Sequence, residues 1–487
     1  MILVWMISIL LMGGILSWLV AQRSPVLCKW IALLAVSIDF ILICNLWWHH
    51  RIFITGDGAW FINYQANWIP SFGISFHIAL DGLSMVLLLL SFFLGILAVL
   101  CSWDEIREKT GFYFFNLLWT LAGISGVFIA MDLFLFYFFW EVMLVPMYFL
   151  IAIWGDTNRR YAAYKFFIFT QAGGLFMLLA ILSLYFIHAR QSGNYSFDYF
   201  SLLNTSLEPS TAKWIMFGFL IAFAVKLPVV PFHNWLPDAH SEAPTAGSLI
   251  LAGLLLKTGA YGIIRFVLPL FPQASAAIAW WAMLFGVIGI VYGAMLAFAQ
   301  TDLKRLIAYT SVSHMGFVLL GIFAFNKLAM QGVVMQILTH GISTGALFVM
   351  AGMIKERLHT RDINKMGGLW TAMPGMGAAA MLFTMASLGL PMLGNFIAEF
   401  FILLGTFSSN ATLTVIASAG LVLAALYSLR MMQKVFLGPA IGTTALKDFN
   451  ARELVTMAAL SISIVALGLY PQPVMDMVKG FIGQILK

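Results

Sequence analysis

Long apolar runs alternate with short polar joints along the whole chain. A helix needs about 20 mostly apolar residues to cross a bilayer. Fourteen stretches meet that length, at 2–21, 30–48, 77–101, 112–130, 132–153, 162–187, 213–236, 245–268, 277–299, 305–324, 329–353, 376–406, 411–436 and 453–470. They predict an all-α polytopic membrane protein, read as a single transmembrane domain over residues 1–487. The longest polar stretches, 49–71, 188–211, 354–371 and 438–452, are too short for a soluble domain of their own.

Two of the runs carry helix breakers. The seventh holds Pro228 and Pro231, with Pro237 and Pro244 close behind, and the twelfth reads "SLGLPMLGNFIAEF", with Gly389, Pro391 and Gly394 together. Proline removes a backbone donor and clashes with the preceding turn. Inside a membrane, the freed backbone groups persist only where protein or a wet cavity satisfies them. Two broken helices in matching places point to an inverted-repeat transporter. Helices 4–8 (112–268) and helices 9–13 (277–436) form two five-helix sets, each broken in its fourth member. An odd count per set makes the two inverted.

Composition agrees with the hydropathy pattern. Of the residues, 62% are hydrophobic and 9% charged, where a soluble domain carries roughly 25% charge. Aromatics reach 15%, which suits lipid contact and interfacial belts. Lys and Arg fall unevenly: seventeen lie on the side reached after odd-numbered spans and seven on the other, among them Arg51, Arg265 and Lys487. By the positive-inside bias this places "KERLHTRDINKMGG" in the cytoplasm and both termini outside. The N-terminal run lacks a basic leader region and a small-residue cleavage site, and reads as the first span.

The net charge of +6 comes from loop cations without a dense basic run, so nucleic-acid binding has no support. The cysteines, Cys28, Cys44 and Cys101, are far apart and make no CxxC pair, which leaves zinc and iron–sulfur ligation unsupported. No P-loop or GxGxxG after a strand is present.

The informative residues are charges inside the apolar runs. An acid, Lys or Arg at a helix centre costs about 2.5–3.5 kcal/mol on insertion scales. Glu141 lies in "FLFYFFWEVMLVPMYFLIAIW", Lys226 abuts the seventh-span break, and Lys257 sits in "LILAGLLLKTGAYGIIRF", too deep to snorkel. His314 and His340 fall in successive spans of the second set, and Glu399 follows the second break. Histidine titrates near neutral pH and suits proton relay. Both Glu141–Lys226 and His314–Glu399 are separated by 85 residues. Together they read as a chain of proton carriers, with Glu141 the expected partner of Lys226. The bland alternative is a set of static buried pairs that fix helix register.

His233, Asp238, His240 and Glu242 cluster in "HNWLPDAHSEAP". Their spacing matches no zinc template, and they are expected to line a polar access route on the cytoplasmic side. Gly289 and Gly293 have GxxxG spacing, a close helix contact. Thr301 or Asp302 is an N-cap. Asp132, where two spans meet, is expected to stay partly solvated.

The stretches "FFWEVMLVPMYFLI", "AFAVKLPVVPFHNWLPDAHSEAPTAGS", "LAGLLLKTGAYGIIRF", "AFAQTDLKRLIAYTSVSHMGF" and "LPMLGNFIAEF" resemble the antiporter-like membrane subunits of respiratory complex I. The nearest branch is that of bacterial NADH:quinone oxidoreductase subunit M. The resemblance implies about fourteen helices with two inverted five-helix repeats, helices 7 and 12 broken. It implies proton translocation coupled to quinone reduction through Glu141, Lys226, Lys257, His314, His340 and Glu399. It further implies that NAD, FMN, iron–sulfur clusters and quinone bind to partner subunits, with neighbouring antiporter-like subunits in contact and no cofactor or metal in this chain. Mrp-type sodium/proton antiporter subunits share the core motifs. Glu399 stands where those relatives typically carry lysine, which favours subunit M.

Overall fold

The computed structural model describes residues 1–50, 60–439 and 446–486, so Arg51 and Lys487 lie outside the described residues. Twelve unbroken helices are long and apolar enough to span a membrane among the described residues. They are α1 (Ile2–Ala21), α2 (Pro25–His50), α3 (Gly82–Glu105), α4 (Thr110–Ile129), α5 (Leu133–Trp154), α6 (Arg159–Ser192), α8 (Thr245–Leu270), α9 (Pro272–Ala299), α10 (Leu303–Ile322), α11 (Lys327–Leu358), α13 (Ala411–Val435) and α14 (Ala451–Leu469). Two further members are interrupted as expected. They are α7a (Pro209–Lys226) with α7b (Trp235–Glu242), and α12a (Pro374–Ser387) with α12b (Gly394–Ser409).

The backbone at each break follows from its residues. Pro228 and Pro231 cannot donate backbone hydrogen bonds, and the chain turns irregularly from Leu227 to Asn234 before α7b resumes. In the twelfth member the turn needs Gly389 at φ +79°, in the left-handed region that a side chain disfavours.

Two elements depart from the hydropathy reading. Residues 77–81, expected to begin the third span, end a strand instead. Strand β1 (Trp60–Ile69) pairs antiparallel with β2 (Ile74–Asp81), with Tyr64 opposite Ile78 and Gln65 opposite His77. β2 is buried along most of its length although Ser75, His77 and Asp81 alternate with its apolar residues, and it runs directly into the apolar helix that follows. Asp81 ends it and caps α3, accepting from the Ser84 amide at 2.9 Å. A final helix, α15 (Gln472–Ile485), packs one face onto α3 and α11. At 14 residues it is too short to count as a span.

The middle stretches of helices α8 and α11 are fully buried and form the centre of the bundle, with α3 beside them. Small residues permit this approach. Gly253 of α8 lies against Leu94 of α3, and Gly341 of α11 lies against the Gly253 carbonyl. The expected Gly289/Gly293 contact forms between α9 and α10, where Gly293 faces the backbone of Ser313. Asp302 caps α10 through the Arg305 amide. Helix α8 contains two π-helical turns, Leu251–Leu255 and Ile263–Val267, one on each side of Lys257.

Candidate proton-carrying axis

Four of the six candidate residues form one contiguous buried run. Lys257 of α8 is 0% exposed. Its Nζ donates to the Ala252 carbonyl at 2.8 Å and lies 2.6 Å from His340 Nδ1. The acceptor comes from the adjoining π turn. A π-bulge departs from the regular i−4 ladder, and here the Ala252 carbonyl meets the lysine. His340 of α11 sits edge-on to His314 of α10, ring centroids 5.6 Å apart. His314 Nδ1 then lies 2.9 Å from Glu399 Oε1 on α12b.

With Glu399 as a carboxylate, the Nδ1–H of His314 points at it. Nε2 is then free to accept from the hydroxyls of Tyr427 at 3.2 Å and Ser387 at 3.3 Å. Gln336 donates a further bond to Glu399 Oε1 at 3.2 Å. The other carboxylate oxygen, Oε2, has no partner and lies beside Gly389, the residue at the helix break. The second break therefore serves as a wall of the Glu399 site.

The first half of the axis is arranged differently. Lys226 is 0% exposed, and its ammonium has no hydrogen-bond partner. It makes no ion pair with Glu141, contrary to the expected partnership. It sits instead between two rings, 5.4 Å from the centroid of Trp140 and 5.3 Å from that of Phe166, in cation–π range of both. Glu141 Oε1 receives a long bond of 3.4 Å from Gln171 Nε2 and packs against Gly174. Gly259 of α8 abuts the Phe223 carbonyl and the Leu227 amide at the end of α7a, so Lys226 emerges directly against the helix that carries Lys257.

The remaining sequence candidates divide by environment. His233 and His240 are buried with their ring nitrogens unpartnered, and His240 stacks on Phe348 at 4.5 Å. Asp238 instead pairs with Lys165 and Arg305, and Glu242 with Arg361. The four do not converge, and no cluster suited to a metal ion occurs among the described residues. A polar cavity of about 570 Å³ does open on the Lys/Arg-rich side, but other groups line it, including Glu105, Asp156, Lys304, Lys355 and Glu356. Arg361 is the hub of that side, reaching Asp156 at 2.9 Å, Asp302 at 3.0 Å and Glu242 at 3.3 Å.

Three charges sit where the sequence did not put them. Asp132, expected to be partly solvated, is 0% exposed and accepts from the Ser75, Phe134 and Leu135 amides. Arg265, counted as a loop cation, lies within α8 and is ion-paired to Asp81, the two being 3% and 0% exposed. Lys304, likewise counted in a loop, is buried and donates to the Ala243 carbonyl at 2.8 Å. His77 is a further buried group, bonded to Asp198 and to Asn63. No local pattern announced these pairs; Asp81 and Arg265 are 184 residues apart.

A family model described as NADH:quinone oxidoreductase/Mrp antiporter, TM, matches residues 130–426. The chain is 53% identical to the NADH-quinone oxidoreductase subunit M of Pseudomonas aeruginosa over 98% of its own length and 96% of the relative's. Among solved structures it is similar to a chain of respiratory complex I from Thermus thermophilus with bound NADH, at TM-score 0.89 and 29% identity over 100% of both chains. It is also similar to a chain of the Mrp complex from Dietzia sp., at TM-score 0.86 and 20% identity over 100% and 99% of the two chains. That last likeness shows the fold alone.

Proposed function

The chain belongs to the subunit M family of NADH:quinone oxidoreductases, and on that premise we propose that it carries protons across a bacterial membrane within such a complex. Its path runs Glu141, Lys226, Lys257, His340, His314, Glu399. NAD, FMN, the iron–sulfur clusters and quinone belong to partner subunits, and quinone reduction there drives the transfer here. Both termini face the periplasm. Helices 4–8 and 9–13 are the two inverted repeats.

The observation that carries this reading is the buried run from Lys257 through His340 and His314 to Glu399. Every member can hold or release a proton, and each is inside the protein, where an idle ionisable group costs free energy. Lys257 passes a proton to His340 Nδ1, and the unpartnered Nε2 of His340 releases it on the far side of the ring. A ring rotation or a bridging water covers the step to His314. Glu399 receives it through Nδ1. On the other side, Lys226 leaves its aromatic cage to meet Glu141. Proton transport against the potential costs about 2.3 kcal/mol per 100 mV, so the carriers must change partners between states, and Lys226 is held where it can.

The test replaces Glu141 with glutamine in the assembled complex. Glu141→Gln is expected to lower both proton pumping and coupled quinone reduction while assembly stays normal, and Lys226→Ala to act alike. Full pumping by an assembled Glu141→Gln complex would sink the role given to Glu141. Purification of the native chain with NADH-oxidising partners supports the oxidoreductase; recovery with small antiporter partners alone would point to an Mrp-type sodium/proton antiporter.

A further inference from the structure

The break in the seventh helix has two faces. On one, Lys226 turns inward to Trp140 and Phe166. On the other lies an apolar crevice of about 280 Å³ that plays no part in the axis. Its floor is Ile263 of α8 and Leu319 of α10, its sides are Ala224 of α7a and Ala282 of α9, and the irregular segment Val229–Phe232 forms one end. We propose that this crevice is a lipid site, taking one acyl chain of a bilayer phospholipid against the hinge of the broken helix.

Three observations commit the occupant. The lining consists of apolar side chains, and an apolar cavity holds no ordered water because water needs two to four polar partners. The mouth is open: Phe217, Phe232 and Phe285 at its rim are 37%, 38% and 42% exposed. That mouth lies at hydrocarbon depth. Phe285 is the fourteenth residue of the 28-residue α9 and so sits midway along a spanning helix, and Phe217 of α7a lines the same mouth. At that depth the medium outside the protein is hydrocarbon. A crevice left empty would forfeit dispersion contacts along its whole lining.

The position gives the site a consequence. Pro231 and Phe232 are exposed and border the crevice, so an acyl chain packs directly on the segment that follows Lys226. Occupancy braces that segment from the side opposite the ammonium.

The test uses the assembled complex in vesicles of phosphatidylethanolamine bearing a photoactivatable diazirine midway along one acyl chain. Peptide mass spectrometry then locates the adducts. Adducts are expected on Phe217, Ile221, Phe232 or Phe285, and are expected to survive lipid depletion that removes most adducts elsewhere on the chain. Ala282→Trp, which fills the crevice, should lower them at least ten-fold, and Leu319→Ala, which enlarges it, should leave or raise them. If adducts form elsewhere but not here, a partner subunit covers the crevice and the proposal fails. It fails equally if crevice adducts vanish with the bulk lipid or ignore Ala282→Trp in an assembled complex.

Discussion

Replacing Phe166 with leucine tests the arrangement around Lys226. Leucine keeps the wall apolar but removes one of the two ring faces that the ammonium sits over, at 5.3 Å. Such contacts contribute about 0.5–1 kcal/mol at exposed sites and about 2 kcal/mol when desolvated. Lys226 is fully buried, so the loss is about 1–2 kcal/mol, a factor of about 5–30 in a two-state population. On the proposed path Lys226 would then spend more time at Glu141 and return to the cage less often. Proton translocation per unit of complex, read by dye quenching in proteoliposomes during NADH oxidation, is expected to fall by a factor in the lower part of that range. Phe166→Tyr retains the ring and should pump near the normal rate. The second cage wall gives a parallel case, since Trp140→Phe should be milder than Trp140→Leu. The reasoning is refuted if Phe166→Leu pumps normally at matched assembly, or if Phe166→Tyr falls as far as Phe166→Leu.

Other expectations follow from contacts away from the cage. Removing either member of the buried Asp81–Arg265 pair leaves an uncompensated charge and should cost about 3–5 kcal/mol; the temperature of thermal inactivation of the purified complex should drop sharply for Asp81→Asn and Arg265→Leu, and less than additively for the double variant. Gly259→Val places a side chain where a Cβ alone already meets the Phe223 carbonyl at 2.6 Å and the Leu227 amide at 2.7 Å; membranes should contain little assembled subunit, whereas Gly480→Ala, with open space around it, should assemble normally. Arg361→Gln releases Asp156, Glu242 and Asp302 from a common cation; increased protease cleavage in the 354–371 loop with retained membrane insertion is the expected outcome.

How much of this was readable beforehand depended on the range of each signal. Spans and breaks are local: twenty apolar residues or a Pro/Gly cluster announce themselves, and all fourteen members were found. The candidate residues of the proposed axis were legible because Glu141, Lys226, Lys257, His314, His340 and Glu399 stand out against apolar neighbours. Their partners were not, since pairing depends on side-chain direction across helices. The reading joined Lys226 to Glu141 by charge, while the fold gives Lys226 two rings and joins Lys257 to His340 and His314 to Glu399. The hairpin was hidden because the buried end of β2 runs straight into the apolar α3, and α15 because its 14 residues fall short of a span. Arg265 and Lys304 were misplaced by loop counting, which scores a cation by its distance from a span boundary and cannot see that Asp81 or a carbonyl awaits it.

The π turns around Lys257 bear on what kind of motion limits each end of the path. With the Ala252 carbonyl at 2.8 Å and His340 at 2.6 Å, the Lys257 amine is moored, and on the proposed path hydrogen would change owner there while the heavy atoms stay in place. On the same proposed path Lys226, which has rings but no acceptor, would have to travel. The two ends therefore keep different clocks. Deuterium oxide should be felt mainly at the moored end, and solvent viscosity or membrane stiffness mainly at the mobile one.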